Sequence, residues 1–261
     1  MLVGVIHLPP LPGSPRSELP TAECARLAAV DAAVLAHAGY DAIIVENFGD
    51  APFFAGRVPA ITVAAMTACA LAVHAAAPDV RHGINVLRND AESAIAVAVA
   101  TGAHFVRVNV HTGARVTDQG VIEGNAAATL RLRRALGADA IAIWADVDVK
   151  HSAPLGPPRP IAQEVEDTTK RALAAAVLVT GDGTGKSVDV EKLAAVKKAA
   201  GSAPVLVASG ATIETLPTLR AHADGIIVGS ALRALGIPGG PIDIGLAKAF
   251  ADAYRREFRG P

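Results

Sequence analysis

The chain has 261 residues, with 24 Lys and Arg against 25 Asp and Glu, a formal net charge of −1 and a pI near 6.7. That balance argues against a partner held chiefly through phosphate-backbone charge, such as bulk nucleic acid, and leaves a small ligand open. The length exceeds the modal domain but matches an α/β barrel, and no linker, charge run or low-complexity block divides it, so one domain over residues 1–261 is expected.

Met1 leads directly into Leu2-Val3-Gly4-Val5-Ile6, with no basic region or small-residue cleavage site of a secretory signal. Aliphatic runs then recur at 2–7, 42–46, 83–87, 104–110, 140–146, 176–180, 204–208 and 225–228. Each precedes a helical stretch, at 19–38, 60–77, 91–101, 124–136, 160–174, 188–200, 213–221 and 242–258. Asn89-Asp90 is placed to cap the third helix, and Gly39, Gly102 and Gly201 fall where helices should stop.

The segment 60–77 carries no Asp, Glu, Lys or Arg and approaches transmembrane length. Alanine dominates it, and Thr62, Thr67 and His74 interrupt it, which favours a packed helix over a membrane span. Cys24 and Cys69 lie in Ala-rich helical stretches without CxxC spacing, as expected of reduced core thiols in a cytoplasmic protein. Eight strand–helix units with strands too apolar to leave a face in water predict an α/β fold, a single (βα)8 TIM barrel, with a doubly wound open sheet as the alternative.

In such a barrel, chemistry gathers where the strands end. The first strand ends in His7 and a stiff Leu8-Pro9-Pro10-Leu11-Pro12-Gly13 loop, the second in Glu46-Asn47, the third in Asn85 and Arg88-Asn89-Asp90. Alternation places Arg107 with Asn109, and Asp146 with Asp148 and Lys150, on one face of their strands. His7, Glu46, Asn85, Arg107, Asn109, Asp146 and Asp148 are thus expected to point inward near one end. Hydrogen-bonded core roles for His7 and Asn85, and a structural ion-pair network for Glu46, Asp146 and Lys150, are the competing expectations.

The segments 111–120 and 151–158 are long for barrel connections and are expected to act as lids. His111, Asp118 and His151 could join Asp146 or Asp148 around a divalent metal, although no paired helical spacing supports a metal site. The sequence names no cofactor. After the last three strands come Val179-Thr180-Gly181-Asp182-Gly183-Thr184-Gly185, Ala208-Ser209-Gly210-Ala211-Thr212 and Val228-Gly229-Ser230-Ala231. Small residues there let backbone N–H groups approach an anion, so a phosphate cradle is expected at Gly181, Ser209, Gly210, Gly229 and Ser230. Gly181-Asp182-Gly183-Thr184-Gly185-Lys186-Ser187 ends like a Walker A loop, but the first glycine of that motif falls at Thr180, which disfavours a P-loop NTPase.

Several segments together resemble the BtpA/SgcQ family. They are Gly4-Val5-Ile6-His7-Leu8-Pro9-Pro10-Leu11-Pro12-Gly13-Ser14-Pro15, Ile44-Val45-Glu46-Asn47-Phe48-Gly49-Asp50-Ala51-Pro52-Phe53, Gly83-Ile84-Asn85-Val86-Leu87-Arg88-Asn89-Asp90, Arg107-Val108-Asn109-Val110, Thr117-Asp118-Gln119-Gly120, Ala145-Asp146-Val147-Asp148-Val149-Lys150-His151 and Gly225-Ile226-Ile227-Val228-Gly229-Ser230. The resemblance implies either a role like the one that named the family, stabilising photosystem I in cyanobacteria, or an enzyme of sugar or nucleoside metabolism. The residues favour a barrel enzyme acting on a small phosphorylated metabolite, a sugar phosphate or ribosyl compound, by isomerisation, lyase chemistry or group transfer.

In that expectation Asp146 and Glu46 are the acid and base, and Lys150 is an electrophile or Schiff-base former. Arg107 and Asn109 clamp substrate, with His7, Asn85, Asp148 and His151 also touching it. The alternative is a non-catalytic assembly factor for a membrane complex, which an exposed apolar patch on the outer helices would favour. Either form is compatible with a homo-oligomer.

Overall fold

Strands that are apolar on both faces need helices outside and one another inside. The computed structural model, which describes residues 1–181 and 187–259, meets that demand by closing the sheet. In chain order the elements are β1 (Leu2–His7), α1 (Thr21–Ala38), β2 (Ala42–Glu46), α2 (Ala60–Ala76), β3 (Arg81–Asn85), α3 (Ala91–Thr101), β4 (Phe105–Val108), β5 (Ala114–Thr117), β6 (Gly120–Glu123), α4 (Ala126–Ala135), β7 (Ala142–Val147), β8 (Ser152–Pro154), α5 (Ile161–Glu166), β9 (Ala176–Val179), α6 (Val190–Ala200), β10 (Val205–Val207), α7 (Leu216–Leu219), β11 (Gly225–Val228) and α8 (Ile244–Phe258). Eight parallel strands form a closed barrel in the order β1-β11-β10-β9-β7-β4-β3-β2, the TIM-barrel arrangement. The Walker-like stretch falls mostly on 182–186, outside the described residues.

Alternation divides the core into two shells. Ile6, Val45, Ile84, Val106, Ile143, Val177, Val207 and Ile226 face outward into the layer packed by helices. Val3, Val5, Ala42, Ile44, Phe105, Trp144, Ala176, Leu178, Leu206 and Ile227 fill the lumen. The Phe105 and Trp144 rings, on the adjacent strands β4 and β7, stack at 3.6 Å inside the lumen. Gly83 makes this possible, because a Cβ there would lie 2.3 Å from the Phe105 ring. Burying an aromatic ring of this size is worth about 3 kcal/mol, so the plug both stabilises the barrel and floors the polar layer above it.

Register sets that layer. His7 pairs in rank with Glu46, and Glu46 with Asn85, while Arg107 lies opposite Trp144 on the neighbouring strand. Each polar residue continues the inward phase of a lumen residue two positions earlier.

Helix ends follow the local signals. The Asp90 side chain accepts from Ser93 N at 3.0 Å, and Gly39 and Gly102 take φ of 82° and 68° to end α1 and α3. The 160–174 helix differs from expectation, because the α-helical part stops at Glu166 and a π turn continues over Asp167–Arg171. The 111–120 and 151–158 loops also differ. β5 and β6 pair as an antiparallel hairpin, and β8 adds to β5, giving a small sheet over the barrel mouth. Among the described residues no helix is long and apolar enough to cross a membrane. The Ala-rich α2 instead packs one side against the molecule, burying Ala65, Met66, Cys69, Ala70 and Val73.

Candidate functional site

The inward phase of β4 and β7 brings Arg107 and Asp146 together. Arg107 NH2 lies 3.0 Å from Asp146 Oδ2 and 3.2 Å from Oδ1, and Nε is 3.3 Å from Oδ2. Asn109 Nδ2 donates to the same carboxylate at 2.6 Å. Asn85 Nδ2 donates to Arg107 O and Asn109 Oδ1, each at 3.1 Å, and braces the pair from β3. On its far side Arg107 NH1 is 3.8 Å from Glu46 Oε2. Burial opposes the Arg107 charge, but Asp146 and Glu46 outweigh it and raise its pKa, so the cation is permanent. The Asp146 side chain has 0% exposure and is sealed behind its partners.

His7 stacks on Phe48 with ring centroids 4.3 Å apart. Its Nδ1 accepts from Gly239 N at 3.3 Å, which puts the neutral ring's proton on Nε2, the nitrogen 3.8 Å from Glu46 Oε1. Burial, reinforced by the cations Arg233, Lys150 and Arg107, holds the His7 pKa well below 6.5, so the ring is neutral at neutral pH. A Cβ at position 229 would sit 3.2 Å from the His7 ring, so glycine there makes room for it.

Lys150 lies beyond the end of β7, where Thr180 Oγ1 accepts from its N–H at 2.8 Å and Arg88 NH2 donates to its carbonyl at 2.7 Å. Its Nζ forms no ion pair among the described residues. Burial first, then Arg107, lower its pKa from 10.5 to about 8, against the opposing pull of Glu46 and Asp146. An amine in that state can hold or release a proton near neutral pH.

Two adjoining cavities open above this layer. The smaller, about 220 Å³, runs from His7, Glu46 and Lys150 to the loops Ser209-Gly210-Ala211-Thr212 and Gly229-Ser230-Ala231. The larger, about 560 Å³, is lined by Phe53, Leu87, Arg88, Asn109, Asp118, Gln119 and His151. Glu46, Phe48, Arg107 and Lys150 border both. Among the described residues the backbone N–H groups of Gly210, Ala211, Ser230 and Ala231 donate to no protein acceptor. Arg233 fixes the second loop from below, donating to Gly229 O at 2.6 Å, Gly240 O at 2.7 Å and Val5 O at 3.0 Å.

The structure therefore brings His7, Glu46, Arg107, Lys150, Ser209, Gly210, Gly229 and Ser230 to the smaller chamber, with Asn109 and His151 at the larger. Asn85 and Asp146 lie beneath as supports. Gly181 stands at the edge, its N–H committed to Ser209 Oγ at 3.1 Å. Asp148 is placed elsewhere. β7 ends at Val147 and Asp148 turns to φ 46°, so its carboxylate leaves the inward phase and pairs with Arg115 and Lys192. His111 is also drawn away, its Nε2 lying 3.0 Å from Ala172 O. No group of three His, Cys, Asp or Glu among the described residues could hold a metal, so the set His111, Asp118 and His151 is not assembled. Phe48, Arg88 and Arg233 are site residues that sequence reasoning did not assign. Arg88 stood in a strand-end cluster, but its neighbours Asn89-Asp90 drew attention to helix capping.

This architecture defines a (βα)8 barrel with a polar, two-chambered mouth at the carboxyl ends of its strands. Comparison with known proteins narrows the class: the chain belongs to the BtpA family, whose model matches residues 1–256. The Photosystem I biogenesis protein BtpA of Synechocystis sp. is 45% identical over 254 residues, covering 97% of this chain and 87% of the relative. Among solved structures, N-(5'-phosphoribosyl)anthranilate isomerase from Pyrococcus furiosus superposes with a TM-score of 0.60 at 14% identity, covering 98% of this chain and 99% of that one. Orotidine 5'-phosphate decarboxylase from Pyrococcus horikoshii OT3 gives a TM-score of 0.58 at 16% identity, over 98% and 99% of the two chains. At these identities the likeness is one of fold.

Proposed function

We propose that the chain, a single barrel domain over residues 1–261, is a cytoplasmic enzyme using acid–base chemistry on a small phosphorylated metabolite, a sugar phosphate or ribosyl compound. The observation that carries this reading is the smaller chamber, which joins the unpaired N–H groups of Gly210, Ala211, Ser230 and Ala231 to Glu46 and Lys150. Amides left without acceptors in a partly buried site are costly unless an anion or water uses them. A phosphate seated there would direct the rest of the molecule past Glu46 and Lys150 toward the larger chamber. The names of the two structural neighbours, a phosphoribosylanthranilate isomerase and an orotidine 5'-phosphate decarboxylase, add support for phosphorylated ligands on this fold.

Within the site, Glu46 moves a proton at the reacting carbon or hydroxyl, and Lys150 supplies positive charge or a proton where negative charge develops. His7, neutral and protonated on Nε2, donates a hydrogen bond without changing charge. Arg107, fixed by Asp146, keeps a permanently charged donor at the chamber floor. Asp146 thus acts through Arg107. Calorimetric titration of inorganic phosphate into wild-type protein and into a Gly229→Val variant tests the cradle: the variant should lose binding while its circular dichroism is unchanged. Equal binding by both would remove the cradle and the reading built on it.

A second reading, an assembly factor for a membrane complex, is favoured by the name of the Synechocystis sp. relative and by one surface feature. Ile61 and Leu71 of α2, Val30 of α1 and Val99 of α3 are 42–50% exposed on neighbouring outer helices. Full biological activity of a well-folded Glu46→Gln, Lys150→Met double variant would support assembly over catalysis.

A further inference from the structure

Arg88 is buried, at 6% exposure, and borders the larger chamber. Its one side-chain hydrogen bond among the described residues runs from NH2 to the Lys150 carbonyl at 2.7 Å. No carboxylate comes within ion-pair distance of it among those residues. The charged groups that bear on it are Asp146, Arg107, Glu46, Asp118 and Lys150. Asp146 is already forked by Arg107, Glu46 also serves that guanidinium, and Asp118 is exposed and bonded to Gln119. Burial consequently lowers the Arg88 pKa, with Asp146 only partly compensating.

A buried guanidinium without an anionic partner is a cost that folding alone would not select. It carries five donors in a planar fork suited to a carboxylate or phosphate. Phe53 and Leu87 line the same chamber and make its wall partly apolar, which strengthens the pull of the charge on an anion. Arg16 and Lys150 also line this chamber, so even with Arg107 matched by Asp146 its remaining cations outnumber its carboxylates, Glu46 and Asp118. The imbalance exists before any phosphate occupies the neighbouring chamber.

We infer that Arg88 is the anchor of a second anion subsite, and that the ligand of this barrel is doubly anionic, with a phosphate at one end and a carboxylate or second phosphate at the other. The inference rests on the phosphate reading of the smaller chamber and extends it to the larger. Arg88 holds the distal anion through its free donors while its bond to the Lys150 carbonyl keeps the fork in register with the amine at the chamber junction. Binding of the distal group would therefore fix the substrate's middle carbons against Glu46 and Lys150.

Matched ligand pairs separate the two claims. 6-Phosphogluconate and glucitol 6-phosphate have the same chain length and differ by a carboxylate against a hydroxymethyl group. Fructose 1,6-bisphosphate and fructose 6-phosphate differ by the second phosphate. In calorimetric titrations near neutral pH, the doubly anionic member of at least one pair should bind wild-type protein roughly 30-fold more tightly than its match, as a charge-assisted bidentate contact allows. The pair that shows the gain identifies the distal group.

Arg88→Gln should reduce that ratio to below about 3 while leaving affinity for the singly phosphorylated member unchanged. If Arg88→Gln folds poorly, Arg88→Lys serves instead, keeping charge but losing the fork, and should lower the ratio about tenfold. Ratios near unity in both pairs, or a ratio that survives the substitution, would overturn the distal subsite while leaving the phosphate cradle intact. Failure of every ligand and of inorganic phosphate to bind would overturn the cradle, and the subsite with it.

Discussion

Replacing Lys150 with methionine removes a charge and keeps a side chain of similar length. The structure lowers the Lys150 pKa from 10.5 to about 8. At about 1.4 kcal/mol per unit, holding the ammonium in the folded chamber costs up to about 3 kcal/mol relative to the unfolded chain. The sign follows from the depressed folded value. Below about pH 8 the lysine is charged in both states and the whole penalty applies. Between about 8 and 10.5 the folded state sheds its proton first, so wild-type stability rises relative to the variant.

Lys150→Met should therefore be more stable than wild type at pH 7, by up to about 3 kcal/mol and several degrees in Tm, and the gap should close as pH approaches 10.5. Urea unfolding of both proteins at pH 7, 9 and 10.5 measures this. A variant no more stable than wild type at pH 7, or a gap that ignores pH, would refute the claim that a partly buried ammonium without an ion-pair partner faces the chamber.

Asp146→Asn should behave oppositely, losing about 3–5 kcal/mol in chemical denaturation because Arg107 would keep its charge and lose its closest partner. His7 should stay neutral, with its proton on Nε2, in nitrogen-15 NMR spectra between pH 6 and 8; a titration near 6.5 would contradict its enclosure among Arg233, Lys150 and Arg107. Gly229→Ala should displace the His7 ring by a few tenths of an ångström and weaken phosphate binding, with circular dichroism unchanged. Asp148→Asn should speed amide exchange in β5 and β8 by releasing Arg115 while leaving ligand affinity within about twofold, and a large affinity loss would return Asp148 to the site.

Much of this arrangement was legible in the sequence because the pleat imposes a period of two. Val3 and Val5 lead to His7, Ile44 to Glu46, Phe105 to Arg107 and Trp144 to Asp146, each polar residue inheriting the phase of a lumen side chain. The same rule failed one step past the strand. Asp148 shares the parity of Asp146, yet the left-handed turn at 148 ends the alternation and sends it to Arg115. Lys150 reaches the chamber through tertiary contacts with Thr180 and Arg88, residues 30 and 62 positions distant in sequence, rather than through strand phase.

The small sheet over the mouth had no strong local signal either. β5 and β6 have four residues each, and β8 joins them from a separate loop. The sealed position of Asp146 depends on the side-chain fork between β4 and β7, which composition does not record. Arg88 lies in a strand-end run that also reads as a helix cap, and its lack of an anionic partner is a property of three dimensions alone.

The most direct measurement of the central claim is a crystal structure of the protein soaked with inorganic phosphate. The predicted result is an anion between the two small-residue loops, within hydrogen-bond distance of the N–H groups of Gly210, Ala211, Ser230 and Ala231 and facing Lys150. An empty cradle at saturating phosphate, with those amides bound to protein or ordered water, would contradict it.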